Sequence, residues 1–185
     1  MFWYILERVL LIVVLMGLTV FLAWWLSQKP SLYRDWSPDQ AILPTVSFSG
    51  TMVTIENARA FRYTSPTEYS SSYYTEQYNL DEIEKMYYII EPFSEKDGPA
   101  HTMVSFSFSG GKNVVISPEI RKERGETFDA IRGFMNQYEL VYMIGDEEDM
   151  IKLRTNYRKD QVYMYPVRAT KSEIALFFRS LLIRS

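Results

Sequence analysis

Apolar residues are spread along this chain in two ways. From Val9 to Leu26 the sequence VLLIVVLMGLTVFLAWWL holds eighteen residues without a charge. As a helix such a run reaches about 27 Å, close to the hydrocarbon thickness of a bilayer. Trp3 and Tyr4 precede it and Trp24 and Trp25 close it, the placement of two interfacial aromatic belts, with Glu7 and Arg8 near the first. The run is longer than the apolar core of a signal peptide, and Trp24-Trp25-Leu26-Ser27 lacks a small-x-small cleavage pattern. The pattern predicts an uncleaved transmembrane anchor ended by Lys29-Pro30-Ser31. Arg8 and the α-amine before the span nearly balance Lys29 and Arg34 after it, so charge alone leaves the orientation open.

Past residue 30 the pattern changes. Residues 31–45, interrupted by Pro44, read as a linker. Val46–Ser49 and Met52–Ile55 alternate apolar and polar positions on either side of Gly50, which predicts two short strands joined by a turn. Ala58–Tyr63 reads as a further short strand, and the Ser-, Thr- and Tyr-rich Thr64–Tyr74 as a loop. Leu80–Ile83 fits one helical turn, and Met86–Ile90 fits a strand. His101–Phe108 and Val114–Ile120 form the best-defined hairpin, with Gly110-Gly111 supplying the positive-φ positions of its turn. Glu126–Asn136 has helical apolar spacing, and Leu140–Ile144 is strand-like. Asp146 is placed to cap a helix over 147–151, although Ile151, Leu153 and Thr155 also alternate. Val162–Pro166 predicts a strand, and Thr170 caps a helix over Lys171–Ile183. The class is α+β: a mainly antiparallel sheet with few helices, preceded by one transmembrane helix.

Composition narrows the chemistry. The 23 acidic and 20 basic residues are interspersed, so no basic face for nucleic acid is expected. No cysteine is present, which excludes disulfides and thiolate metal sites within these residues; with a single histidine, no zinc site is expected. The acidic run Asp146–Asp149 lacks the glycine and alternate-position oxygens of a calcium loop, and a helix start explains it. Arg154 and Arg158 are expected to pair with that run, with an anionic headgroup as the alternative partner. His101 is the sole imidazole. Its candidate orienting groups, Ser117 and Glu119, lie across the hairpin, and the turn decides which of them reaches it. A two- or four-residue loop pairs His101 with Ile120 and turns Glu119 away; a three-residue loop puts Glu119 on the face of His101. Both registers fit the sequence. Taken alone, the charged run Glu119–Glu126 reads as a solvated face with local ion pairs.

Several segments in order resemble one family. They are Asn57-Ala58-Arg59-Ala60-Phe61-Arg62-Tyr63, Ala100-His101-Thr102-Met103-Val104-Ser105-Phe106, and Ser117-Pro118-Glu119-Ile120-Arg121-Lys122-Glu123-Arg124-Gly125-Glu126. Gln137–Tyr142 and Asp146–Arg158 complete the set. From Asp35 to Pro166 the chain resembles the Lnb N-terminal periplasmic domain family. The resemblance implies an anchor over 1–30, a linker over 31–45 and the family domain over 46–185, held at a bacterial inner membrane and facing the periplasm. It also implies a papain-like fold in the permuted order, with histidine before cysteine. The best-understood branch resembles enzymes that move an acyl chain within a lipoprotein from the glyceryl group to the amino terminus. On that basis His101 is the general base and acid of a thiol acyltransferase or hydrolase, oriented by Glu119 or Ser117. No cofactor is expected, and membrane lipid with a lipoprotein or acyl-lipid substrate are the expected partners.

Family members continue past the last helix into an Asn-Cys-Thr-Thr segment. The expectation is therefore that these 185 residues are a fragment ending before the nucleophile, with helix 171–183 left exposed for want of packing partners. The alternative is a non-catalytic, membrane-tethered binding or scaffold module, with exposed tyrosines of Ser65–Tyr78 as its contact surface.

Overall fold

Phe2–Ser27 forms one helix, α1, long and apolar enough to cross a membrane, with a mean hydropathy of 2.7 over its best window. The computed structural model describes residues 2–27, 31–94, 98–135 and 137–184, so Lys29 and Pro30 of the predicted helix stop lie outside the described residues. The chain divides into two compact units: Met1–Ser37 with Arg121–Glu139, and Pro38–Ile120 with Leu140–Ser185.

In the first unit Trp36 is the organising side chain. The Arg121 guanidinium lies 4.1 Å from its ring centroid, and Trp36 bridges Glu123 through the backbone. Glu139 accepts from the Ser31 amide and pairs with Arg34 at 2.9 Å. The helix predicted over 126–136 shrinks to Ala130–Phe134 (α2), and Asn136 lies outside the described residues. Two side chains explain the late start. Asp129 caps the helix by accepting from the Arg132 amide, and the Glu126 carboxylate is engaged by the Glu123 amide and the Arg132 guanidinium.

The second unit is built on a sheet. Its strands are β1 (Thr45–Ser49), β2 (Met52–Arg59), β5 (Tyr73–Asn79), β6 (Ile83–Pro92), β7 (Ala100–Phe108), β8 (Lys112–Arg121), β9 (Glu139–Gly145) and β10 (Tyr163–Pro166). The order is β1-β2-β9-β8-β7-β6-β10, with β5 also pairing β2; β3 (Arg62–Tyr63) and β4 (Tyr69–Ser70) form a separate small ribbon. Most pairings are antiparallel, while β2 meets β9 in parallel at Arg59 and Gly145. The α+β, mainly antiparallel class is as expected from the sequence.

Two expectations need correction. The predicted loop 64–74 overlaps β5, whose Tyr74 and Tyr78 turn inward against β2 and the core. Their hydroxyl and turn-like neighbours hid an alternating strand. Of the tyrosines expected on an exposed contact surface, Tyr78 is buried, and Tyr69, Tyr73 and Tyr74 are half-buried, with Tyr69 stacked on Phe61 at 4.8 Å between ring centroids. Nor is the last helix left without partners. In α4 (Lys171–Leu182), Thr170 and Glu173 form a reciprocal capping box. Ile174, Phe178 and Leu182 bury into a core with Tyr78, Phe106 and Phe108, and the Phe106 and Phe178 rings meet edge to face at 4.8 Å.

The parallel meeting of β2 and β9 depends on local backbone geometry. A bulge in β2 between Ile55 and Ala58 places Asn57 at φ 57°, a left-handed conformation that asparagine tolerates. Beyond it the Arg59 carbonyl comes so close to Gly145 that a Cβ there would lie 2.6 Å from the oxygen. The same carbonyl accepts from the Asp146 amide. Replacing Gly145 by alanine should therefore force the strands apart and cost about 1–3 kcal/mol, the usual penalty of overpacking. Chemical denaturation of the G145A chain measures this, and unchanged stability would mean that the close approach is not required.

Candidate active site

The hairpin loop settles the register that the sequence left open. Ser109–Gly111 make a three-residue connection, with Gly110 and Gly111 both at φ 78°. Pairing runs from Phe108 opposite Lys112 to Val104 opposite Ile116. Beyond the last pair, His101 and Glu119 lie three residues further along their strands, with Nε2 and Oε1 3.4 Å apart. On the other side of β7, His101 pairs with Glu91 of β6. Directly paired residues share a sheet face, so Glu91, His101 and Glu119 lie in a row across three adjacent strands, and Ser117 joins them two residues along β8.

The side chains connect this row. His101 Nε2 lies 2.8 Å from Ser117 Oγ, and Ser117 Oγ donates to Glu119 Oε1 at 2.7 Å. Nε2 is also 3.4 Å from that carboxylate oxygen. All three sequence candidates, His101, Ser117 and Glu119, are therefore brought together. Ser117 is fully buried. A serine hydroxyl carries one hydrogen, and here it goes to the carboxylate. Ser117 Oγ must then accept from the imidazole, which makes Nε2 the protonated nitrogen of neutral His101 and leaves the Nδ1 lone pair to receive a proton.

Arg154 completes the arrangement and was not recognised from the sequence as part of it. Its Nη2 donates to Glu119 Oε1 at 2.8 Å, its Nε to Glu91 Oε2 at 2.6 Å and its Nη1 to the Met150 carbonyl at 2.6 Å. The expected pairing of Arg154 with the acidic run 146–149 is thus wrong. Those acids are occupied elsewhere: Asp146 caps α3 (Glu147–Met150) and pairs with Arg62, Glu147 accepts from Ser105, and Glu148 pairs with Lys152. Asp149 is fully buried and binds Arg59 through two bonds of 2.8 Å while also accepting from the Phe61 amide.

That second buried pair fixes α3 against the end of β2. From there the chain continues through Ile151 into a π-helical segment, Leu153–Arg158, which delivers Arg154 to the two strand carboxylates. The widened π-helical turn has no signature in the apolar pattern, and the partners Glu91 and Arg154 are 63 residues apart. Residue-type signals were available, namely an arginine just after Leu153 and a glutamate near the end of a strand, before Pro92, but they do not name each other.

Electrostatics separates the two carboxylates. Burial opposes ionisation of Glu119, but the hydrogen bond with His101, the Arg154 charge and the Ser117 hydroxyl outweigh it and hold the group well below the usual carboxylate range. For Glu91 burial outweighs Arg154, and its pKa is raised, so the charged form is harder to reach. One arginine thus faces a carboxylate firmly ionised and another that takes up a proton more readily. The depressed value of Glu119 adds stability above its unfolded value of about 4.3, and this is lost as pH falls through the folded value. In melting curves from about pH 7 to about pH 2, the wild-type chain should exceed Glu119→Gln in stability at neutral pH, with the gap closing in acid. A gap independent of pH would show that the carboxylate is not held ionised by these partners.

With the geometry established, comparison with known proteins gives one result. Residues 69–183, more than half of the chain, match the Lnb N-terminal periplasmic domain. Searches of the curated proteins and of the solved structures returned no match. A periplasmic domain joined to the apolar helix α1 is consistent with membrane anchoring that faces the periplasm. By that match the chain belongs to the Lnb N-terminal periplasmic domain family.

Proposed function

We propose that this chain is the histidine-bearing part of a thiol-dependent acyltransferase or hydrolase, anchored in a bacterial inner membrane and acting on a lipoprotein or acyl-lipid at the periplasmic face. The observation that carries the reading is the short chain of contacts from His101 Nε2 through Ser117 Oγ to Glu119, backed by a buried arginine. Such a chain fixes an imidazole with one nitrogen engaged and the other available, the arrangement that general acid–base work requires.

The thiol is supplied from outside these 185 residues, which contain no cysteine. In the proposed cycle Nδ1 takes the thiol proton, and the thiolate attacks an ester carbonyl of the acylated glyceryl group. The ester C–O bond breaks, the acyl group passes to sulfur as a thioester, and the imidazolium returns the proton to the departing glyceryl oxygen. An amine, or water in a hydrolase, then attacks the thioester; its proton passes through His101 to the sulfur as the C–S bond breaks. The permuted papain-like order, histidine before cysteine, belongs to this proposal. No cofactor is needed, because every step is a proton or acyl transfer.

His101→Ala, introduced into the protein together with its cysteine-bearing segment, should lower acyl transfer from a diacylated lipopeptide by roughly 10²–10⁴-fold. The melting temperature should stay close to that of the unmodified protein. Full turnover by a folded H101A protein would remove the catalytic assignment.

A further inference from the structure

We propose that Arg154 is a positioning residue of the His101 site, and that it sets which ring nitrogen of the histidine carries the proton. The inference rests on the catalytic reading only for its consequence, since the arrangement itself is independent of turnover.

The single hydrogen of Ser117 decides the tautomer of His101. While Glu119 is ionised it accepts only, so the Ser117 hydrogen points to it and Ser117 Oγ accepts from His101 Nε2–H. Protonating Glu119 reverses the chain. The carboxyl then donates to Ser117, Ser117 donates to Nε2, and the imidazole proton moves to Nδ1. In that tautomer Nδ1 has no lone pair for an incoming proton. Whether His101 acts as a base on its Nδ1 side thus depends on keeping Glu119 ionised although its surroundings are largely buried.

Arg154 meets that need by position. Arg154 is only 4% exposed, and its Nη2 donates to the same Oε1 that Ser117 donates to. Its Nε is held by Glu91 and its Nη1 by the Met150 carbonyl, so the fork has little freedom to leave Glu119. Two donors, Ser117 Oγ and Arg154 Nη2, thereby converge on one carboxylate oxygen, with His101 Nε2 3.4 Å from it. A lysine at 154 would keep the charge but, as a point charge on a flexible stem, would not hold Glu91, Glu119 and the carbonyl together.

His101 is the only histidine, so imidazole nitrogen spectra of the full chain, labelled with ¹⁵N-histidine in detergent micelles, report on it alone. At a pH where the ring is neutral, the wild-type chain should show predominantly the Nε2–H form. In Arg154→Met the ratio of Nε2–H to Nδ1–H should fall by about tenfold or more, the worth of one hydrogen bond to a charged group. Arg154→Lys, which retains the charge and is the milder change to the fold, should fall in between. If both variants fold and keep the wild-type ratio, Arg154 only packs the site and the inference is overturned. If Arg154→Met fails to fold, Arg154→Lys decides alone, and a wild-type ratio there has the same meaning. A purely structural role would lower the melting temperature without moving the tautomer ratio. Because no substrate enters the measurement, its outcome is separate from the H101A turnover test of the proposed reaction.

Discussion

A guanidinium almost wholly removed from water dictates the architecture of the second unit. The desolvation cost of burying Arg154 is offset only by well-placed acceptors, and the chain provides three: carboxylates on β6 and β8 and a backbone carbonyl one helical turn back. Those acceptors coincide with the strand positions that flank His101. The same requirement recurs at Arg59, which is answered by the fully buried Asp149. The two pairs sit at opposite ends of one short stretch, Asp149 to Arg154, so that stretch is tied to β2 through one residue and to β6 and β8 through another. Removing either partner of such a pair would leave a charge in a dry setting, so the segment is held to one conformation more strictly than apolar packing alone would hold it. Among the described residues no buried side-chain polar atom lacks a partner.

The sequence disclosed the parts of this design that are local and withheld those that are not. The long apolar helix was legible because its eighteen-residue run carries no charge, the length a bilayer crossing needs. Thr170 and Asp146 announced their helices because a cap and the amides it binds are three residues apart. The hairpin was legible from Gly110-Gly111, yet a one-residue difference in loop length reverses every side chain beyond it, and the glycines allow more than one length. Ser117 and Glu119 were thus visible as candidates while their geometry was not. β5 was missed for another reason. Its sequence YYTEQYN carries the hydroxyls and amides of a loop, and only the cross-strand partner on β2 makes its alternation meaningful. Arg154 was assigned to the nearest acids in sequence, whereas its partners come from strands that tertiary structure brings to it.

Family membership and geometry address different questions. The match over 69–183 establishes what kind of domain this is, and it spans β6 to α4, the elements that carry Glu91, His101, Ser117, Glu119 and Arg154. The contacts among these residues belong to this chain's own fold. A helix of 26 residues at the amino terminus adds a spatial constraint to the proposed chemistry. On the proposed reading, tethering by that helix would present lipid-bearing substrates at a high effective concentration, and little binding energy would be needed for the acyl chain itself. This fits a site built from proton-handling groups and a rigid sheet.

The serine between imidazole and carboxylate has a physical consequence that a direct contact would lack. A carboxylate bonded straight to an imidazole accepts the ring N–H itself. Here the short contact is to Ser117 at 2.8 Å, and the carboxylate stands 3.4 Å away, sharing its oxygen with the hydroxyl and with Arg154. Glu119 thus acts on the ring through the direction of one hydroxyl hydrogen, and that direction decides which nitrogen carries the proton. On the proposed reading, this leaves the Nδ1 lone pair to take a proton and give it back.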